Sequence, residues 1–216
     1  MTQVFPRWFD TVARAGIVGT LLAIPATALG LAGFYRSDYV TAEHVAYRQP
    51  VPFSHQHHVS QLGIDCRYCH QTAEDSAFAG MPPTETCMNC HQQIWVGADL
   101  LAPVRDSYQS GKPLVWQRVH HLPEFVYFHH GVHVAKGVGC VECHGRVDRM
   151  PLTWQAKPLT MGWCLDCHRN PAGHLRPRSE VFNMTFEPDR ARGRELAAEY
   201  HVRDARTLTS CSTCHR

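Results

Sequence analysis

Apolar positions are spread very unevenly along this chain. Residues 15–35, AGIVGTLLAIPATALGLAGFY, form one run without a charge, long enough to cross a bilayer core as a helix. Arg7 and Arg14 precede the run and favour an N-terminus in the cytoplasm, while Arg36 follows it directly. The pattern predicts a cytoplasmic N-terminus over 1–14, a single-pass transmembrane helix over 15–35 in contact with membrane lipid, and residues 36–216 outside the cytoplasm. Ala26-Thr27-Ala28 resembles a signal-peptide cleavage site, but the apolar run continues past it, which argues for a retained anchor. Pro25 lies mid-span, where it can kink the helix.

Beyond the run neither a helical nor a strand period is sustained. Prolines recur at Pro50, Pro52, Pro82, Pro83, Pro103, Pro113, Pro123, Pro151, Pro158, Pro171 and Pro177 and interrupt regular structure. The clearest ordinary helix runs from about Pro188 to Tyr200, with Leu196, Ala197 and Tyr200 on one face. Elsewhere the pattern predicts short α-helices and irregular loops, with too little amphipathic sequence to build a conventional core.

The cysteines explain that shortage. All 10 fall into five copies of Cys-x-x-Cys-His: Cys66-Cys69-His70, Cys87-Cys90-His91, Cys140-Cys143-His144, Cys164-Cys167-His168 and Cys211-Cys214-His215. This is the attachment signature of haem c. Two thiols on a tight turn reach the two vinyl groups of one porphyrin, and the histidine that follows binds the iron as proximal ligand. Zinc would need the pairs two by two and gives no reason for a histidine after each. A disulfide framework leaves the histidines equally unexplained. The expectation is a multihaem cytochrome c fold: five covalent haems c as the core, wrapped by short α-helices and loops, behind one N-terminal transmembrane helix.

Charge excludes one class of partner. Lys+Arg number 21 against 19 Asp+Glu, before counting two propionates per haem, and no basic stripe is present, so nucleic acid is not a partner. The arginines are expected either to pair with propionates or to serve as solvated surface charge.

An internal repeat organises the haem region. Phe53-x-His55-x-x-His58-Val59 precedes Gly63-Ile64-Asp65-Cys66, and Phe128-x-His130-x-x-His133-Val134 precedes Gly137-Val138-Gly139-Cys140, with one residue fewer in the second copy. A second motif follows each copy. The region therefore reads as a dihaem module over about 50–95, another over about 118–170, and a fifth haem over about 205–216. Of 16 histidines, those outside the motifs are His44, His55, His57, His58, His120, His121, His129, His130, His133, His174 and His201. The surplus points to bis-histidine iron. His55, His58, His130 and His133 occupy matching places in both modules and are the best distal candidates; His57 and His129 do not match.

Phe-x-His-x-x-His before Cys-x-x-Cys-His resembles the class III multihaem cytochromes c. That resemblance implies His55 for the Cys66 haem, His58 for the Cys87 haem, His130 for the Cys140 haem and His133 for the Cys164 haem. For the fifth haem His120 is the first choice, with His121, His174, His201 and Met184 as alternatives. The stretches Val119-His120, Leu122-Pro123, Phe125-Val126-Tyr127-Phe128 and Leu159-Thr160-Met161-Gly162-Trp163-Cys164-Leu165, with the Cys-Ser-Thr-Cys-His-Arg ending, resemble the pentahaem cytochrome c subunit of bacterial alternative complex III. The resemblance implies an electron-transfer subunit on the periplasmic side of the cytoplasmic membrane, within a quinol-oxidising respiratory complex. Its partners would be an iron–sulfur subunit similar to molybdopterin oxidoreductases, quinol-binding integral membrane subunits and monohaem cytochromes c.

Two other functions compete. A stand-alone quinol dehydrogenase of the small tetrahaem type also has one helix, but uses four haems and lacks the paired-histidine repeat. A small-molecule reductase needs an open iron position, against which the histidine surplus argues. No catalytic residue is expected in the chain by itself.

Overall fold

The computed structural model describes residues 4–215. The chain divides into two units, residues 1–42 and 43–216. In the first, helix α1 spans Arg7–Tyr35 and is exposed along its length, with no buried residue. Its 29 residues extend about 43 Å, enough to cross a bilayer. It starts two turns earlier than the apolar run. Asp10 and Arg14, one turn apart, pair at 3.0 Å and let the helix begin in polar sequence. Pro25 is accommodated inside it. A one-turn helix, α2 (Asp38–Thr41), ends the unit at Ala42, in the left-handed conformation at φ 57°.

The second unit contains short helices and loops; among its described residues the only β pairing is isolated bridges, such as Val126 with His215 and Val138 with Leu175. Among the described residues, buried apolar side chains group in two small clusters, with Met150, Val181 and Met184 buried outside them. Val51, Leu101 and Val104 pack against Cys87, Met88 and Trp116, joining α4 (Thr84–His91) to α5 (Ala102–Ser110). Leu175, Leu196 and Tyr200 pack with Val138, Ala197 and Val202 under α9 (Arg190–Glu199). The helix expected over 188–200 thus begins later, because Asp189 is its cap: the carboxylate accepts from the backbone N–H groups of Ala191 and Arg192. Burial of a side chain such as Leu196 contributes about 1.5–3 kcal/mol.

The two copies of the repeat adopt one local structure despite their different lengths. In the second copy, helix α6 (His130–Ala135) closes when the His133 carbonyl accepts the Val138 N–H at 3.0 Å. In the first, the His58 carbonyl accepts from Ile64, the residue aligned with Val138, also at 3.0 Å. The extra residue is absorbed by a π-helical turn over Gln56–Gln61. Gly63 and Gly137 then turn the chain into the haem motif at φ +70° and +77°, a backbone geometry that favours glycine.

The copies also interlock. Gly131 donates its N–H to Ser76 O at 3.0 Å, in the turn after the first motif. A Cβ at Gly131 would stand 2.6 Å from Glu74 O, so only glycine permits this approach. In the other direction, Gln56 N–H bonds Met150 O at 3.1 Å.

Candidate haem-binding centre

Each Cys-x-x-Cys lies on one helical turn: α3 (Cys66–Cys69), α4, α7 (Cys140–His144), α8 (Met161–Arg169) and α11 (Cys211–Cys214). Side-chain caps set where two of these turns, α3 and α8, start. Asp65 accepts the Arg67 N–H at 2.8 Å, and Thr160 Oγ1 accepts the Trp163 N–H at 3.4 Å. No disulfide joins any of the ten cysteines.

The histidine rings are oriented through Nδ1. His70 Nδ1 lies 2.8 Å from Gly80 O, His91 Nδ1 3.2 Å from Ile94 O, His168 Nδ1 3.1 Å from Leu208 O, and His215 Nδ1 3.2 Å from Phe125 O. Among the distal candidates, His58 Nδ1 lies 2.9 Å from Ser54 O, His130 Nδ1 2.8 Å from Ala77 O, and His133 Nδ1 2.8 Å from His129 O. A carbonyl only accepts, so each of these rings must carry its proton on Nδ1. Nε2 is left with a free lone pair, the arrangement a metal-ligating histidine needs. His55 Nδ1 is held by Thr153 Oγ1 at 2.9 Å.

These rings meet in facing pairs. The centroids of His55 and His70 are 6.4 Å apart with planes at 8°, those of His130 and His144 6.3 Å at 12°, and those of His133 and His168 6.3 Å at 23°. His58 and His91 are 6.2 Å apart, but their planes cross at 67°. An imidazole nitrogen binds a transition metal at about 2.0–2.1 Å and sits about 1.1 Å from its ring centre, so two rings sharing one metal along an axis have centres about 6.3 Å apart. The spacing of all four pairs fits an iron between the rings.

One phenylalanine serves each copy of the repeat. Phe53 meets His55 edge-on at 5.0 Å and stacks on His58 at 4.4 Å. Phe128 does the same to His130 at 4.7 Å and His133 at 4.5 Å. His57, which has no counterpart, turns away to Gln61 and stacks on Trp95. His129 caps α6.

The fifth motif is built differently. The ring packed on His215 is Phe125, at 5.7 Å and tilted by 37°, and the Cys214 carbonyl accepts the Tyr127 N–H at 2.8 Å. His120, the first choice for this motif, is elsewhere: its Nε2 lies 3.2 Å from Nδ1 of His144 at the third motif. The contact sets His120 beside α7, at the third motif. His121 Nε2 bonds Arg118 O at 2.6 Å, His174 Nδ1 meets Glu142 Oε2 at 2.9 Å, and the His201 carbonyl accepts from Lys136 Nζ at 3.3 Å. Met184 is buried.

Sequence reasoning missed two groups of residues. The carbonyls of Gly80, Ile94, Ala77 and Leu208 orient rings, yet a backbone acceptor leaves no trace in residue type. Arg176 is fully buried and reaches Glu142 Oε1, inside the third motif, at 2.6 Å and Asn183 O at 3.1 Å. Its guanidinium thus pairs with a carboxylate of the chain itself.

Burial favours the neutral imidazole, which is the metal-binding form. It pulls His55 down to about 4, helped by nearby His70, His58 and His120, and His144 down to about 3, helped by His120 and His130. His58, His130 and His133 are lowered for the same main reason.

No family model matches the chain. Over 103 residues it is 38% identical to the multihaem cytochrome c subunit of a menaquinone reductase from Nitratidesulfovibrio vulgaris (strain Hildenborough), covering 47% of this chain and 48% of that one. The match spans about half the length of the curated relative. Together with the five motifs, the likeness supports a multihaem cytochrome c carrying covalent haems.

The lowered histidines have a consequence for stability. Their pKa values are lower folded than unfolded, so the unfolded chain binds more protons as the pH drops. Their contribution to stability is therefore fully present above about pH 6.5 and is lost as the pH falls towards the folded value of about 4 for His55. Urea midpoints read by far-ultraviolet circular dichroism are expected to be level from pH 8 to 7 and to fall steadily from 6.5 to 4. A midpoint that rises over that range would contradict neutral, buried imidazoles.

Proposed function

We propose that this chain relays electrons through five haems c as a subunit of a membrane quinol-oxidising complex similar to alternative complex III. The observation that carries the reading is that the ring pairs are linked end to end. A haem in each site supplies one-electron transfer; the residues supply position and order.

Phe53 joins the second site, His58 with His91, to the first, His55 with His70. The first joins the third through the interlocked backbone, where His130 is held by Ala77, just past the first motif. The close set of His55, His70, His120, His130 and His144 lies at this junction. Phe128 joins the third site to the fourth, His133 with His168. The fourth joins the fifth through Leu208, which accepts from His168 and ends α10 (Ala205–Leu208) just before Cys211. The spatial order is second, first, third, fourth, fifth. Both ends of the series are exposed: Ile94, Trp95 and Val96 beside the second motif, Phe125 and Tyr127 beside the fifth.

We assign His55, His58, His130 and His133 as distal ligands and the five motif histidines as proximal ones. Residues 15–35 anchor the chain, with the haem region outside the cytoplasm. The N. vulgaris relative is a subunit of a menaquinone reductase, which supports partners in a quinone-linked membrane complex. By the resemblance to alternative complex III, the donor is an iron–sulfur subunit fed by quinol-binding membrane subunits, and the acceptor a monohaem cytochrome c. The chain by itself is not a quinol dehydrogenase: among the described residues α1 is the one helix long and apolar enough to cross a membrane, and its residues 15–35 carry no charged side chain to take up the protons that quinol releases.

Ligand orientation gives a spectroscopic expectation. Parallel imidazole planes split the two π-symmetry iron orbitals in the same sense, whereas crossed planes offset each other. The ferric protein is expected to hold five haems by pyridine haemochrome assay. Its electron paramagnetic resonance spectrum should show rhombic low-spin signals and one strongly anisotropic signal, which His58→Met removes. A spectrum that His58→Met leaves unchanged would refute the assignment of that residue.

The relay itself is tested with the purified full-length chain in detergent and a menaquinol analogue. Haem reduction is expected to be slow or absent alone and to be restored by partner subunits. Reduction by the isolated chain as fast as in intact membranes would instead establish a self-sufficient quinol dehydrogenase.

A further inference from the structure

Four of the five motif histidines hold their Nδ1 proton on a backbone carbonyl. The third does not: His144 Nδ1 faces the side chain of His120, with Nε2 at 3.2 Å, ring centres 4.4 Å apart and planes at 76°. If Nε2 of His144 binds iron, its Nδ1 must keep the proton, so His120 Nε2 must be the acceptor and His120 carries its own proton on Nδ1. The contact therefore has one direction. It also differs in kind from the other four, because a side-chain acceptor can be replaced by mutation and a backbone carbonyl cannot.

We propose that His120 is a positioning residue for the third haem: it accepts the Nδ1–H of His144, holds that ring facing His130, and sets how strongly His144 donates to the iron. The proposal rests on the reading that the third motif binds haem through His144. A stronger acceptor at Nδ1 gives the imidazole more imidazolate character and favours the ferric state, while loss of the acceptor favours the ferrous state. The placement matters for the relay, because the third site lies in the middle of the series and its potential sets the step that every electron must cross. The sequence signal is the His120-His121 pair. His121 is bound to Arg118 O and stabilises the local turn, leaving His120 free to face α7.

The test is a graded series in the full-length haem protein: His120→Phe with no acceptor, His120→Gln with a neutral one, and His120→Glu with a charged one. Redox titration follows the component that His130→Met displaces. Its potential is expected to order as Phe above wild type, Gln near wild type, and Glu below. The Phe shift should be at least about threefold in the ferric-to-ferrous ratio, about 28 mV at 59 mV per tenfold for one electron. If the Phe variant does not mature, the Gln and Glu variants still carry the comparison, with Glu expected lower. A merely structural role predicts no such order. Variants with full haem content and coincident or reversed potentials would overturn the role of His120 alone. A Cys140→Ala/Cys143→Ala variant that keeps the wild-type haem count would instead overturn the underlying reading of the third motif.

Discussion

The proton on Nδ1 is the constraint from which the rest of this structure follows. Once a carbonyl accepts it, the ring can turn neither its plane nor its tautomer, and Nε2 points in one direction. Seven of the nine paired or motif rings, all but His55 and His144, are fixed this way, through Gly80, Ile94, Leu208, Phe125, Ser54, Ala77 and the His129 carbonyl. Six of those carbonyls lie in loops and turns and the seventh, Leu208, ends α10, and these segments are held in turn by short caps and close backbone contacts. The folding problem is thus to place a few acceptors accurately more than to bury a large apolar surface. Two small clusters, around Leu101 and around Leu196, suffice beside it.

The same constraint explains the repeat. A Phe-x-His-x-x-His segment supplies two rings to two different sites, and the phenylalanine between them keeps both in place by one edge contact and one stacked contact. Because the rings, more than the backbone, must coincide between copies, a one-residue difference is tolerated. The π-helical turn at Gln56–Gln61 takes up the extra residue before Gly63. The two copies then lock through Gly131, where the absence of a Cβ lets backbones touch. This contact brings the first and third sites together and makes the spatial order of the sites differ from their order in the chain.

The C-terminal motif departs from the plan. His215 is fixed through Phe125 and packed by the same residue, and no repeat segment precedes it. Its environment is built from the stretch 123–127, far away in sequence, through the bridge between Val126 and His215. Among the described residues, a site assembled this way shares neither the phenylalanine clamp nor the facing histidine ring of the other four.

The five motifs, the repeat and the apolar run were legible in the residues because covalent attachment, ring ligation and bilayer insertion each demand a specific residue type at a specific local spacing. The helix near 188–200 was legible for a similar local reason, and only its cap at Asp189 moved its start. What the tertiary structure alone decided is everything that depends on a partner without a side-chain signature or far away in the chain. The loop carrying His120 was free, on sequence alone, to serve any site; packing against α7 set it on His144. Arg176 looked like any other arginine until Glu142 was brought to it in the interior. The crossing of His58 and His91 at 67°, against near-parallel planes elsewhere, follows from which carbonyls hold the two rings. Backbone acceptors carry no residue identity, so their positions become known only when the chain has folded.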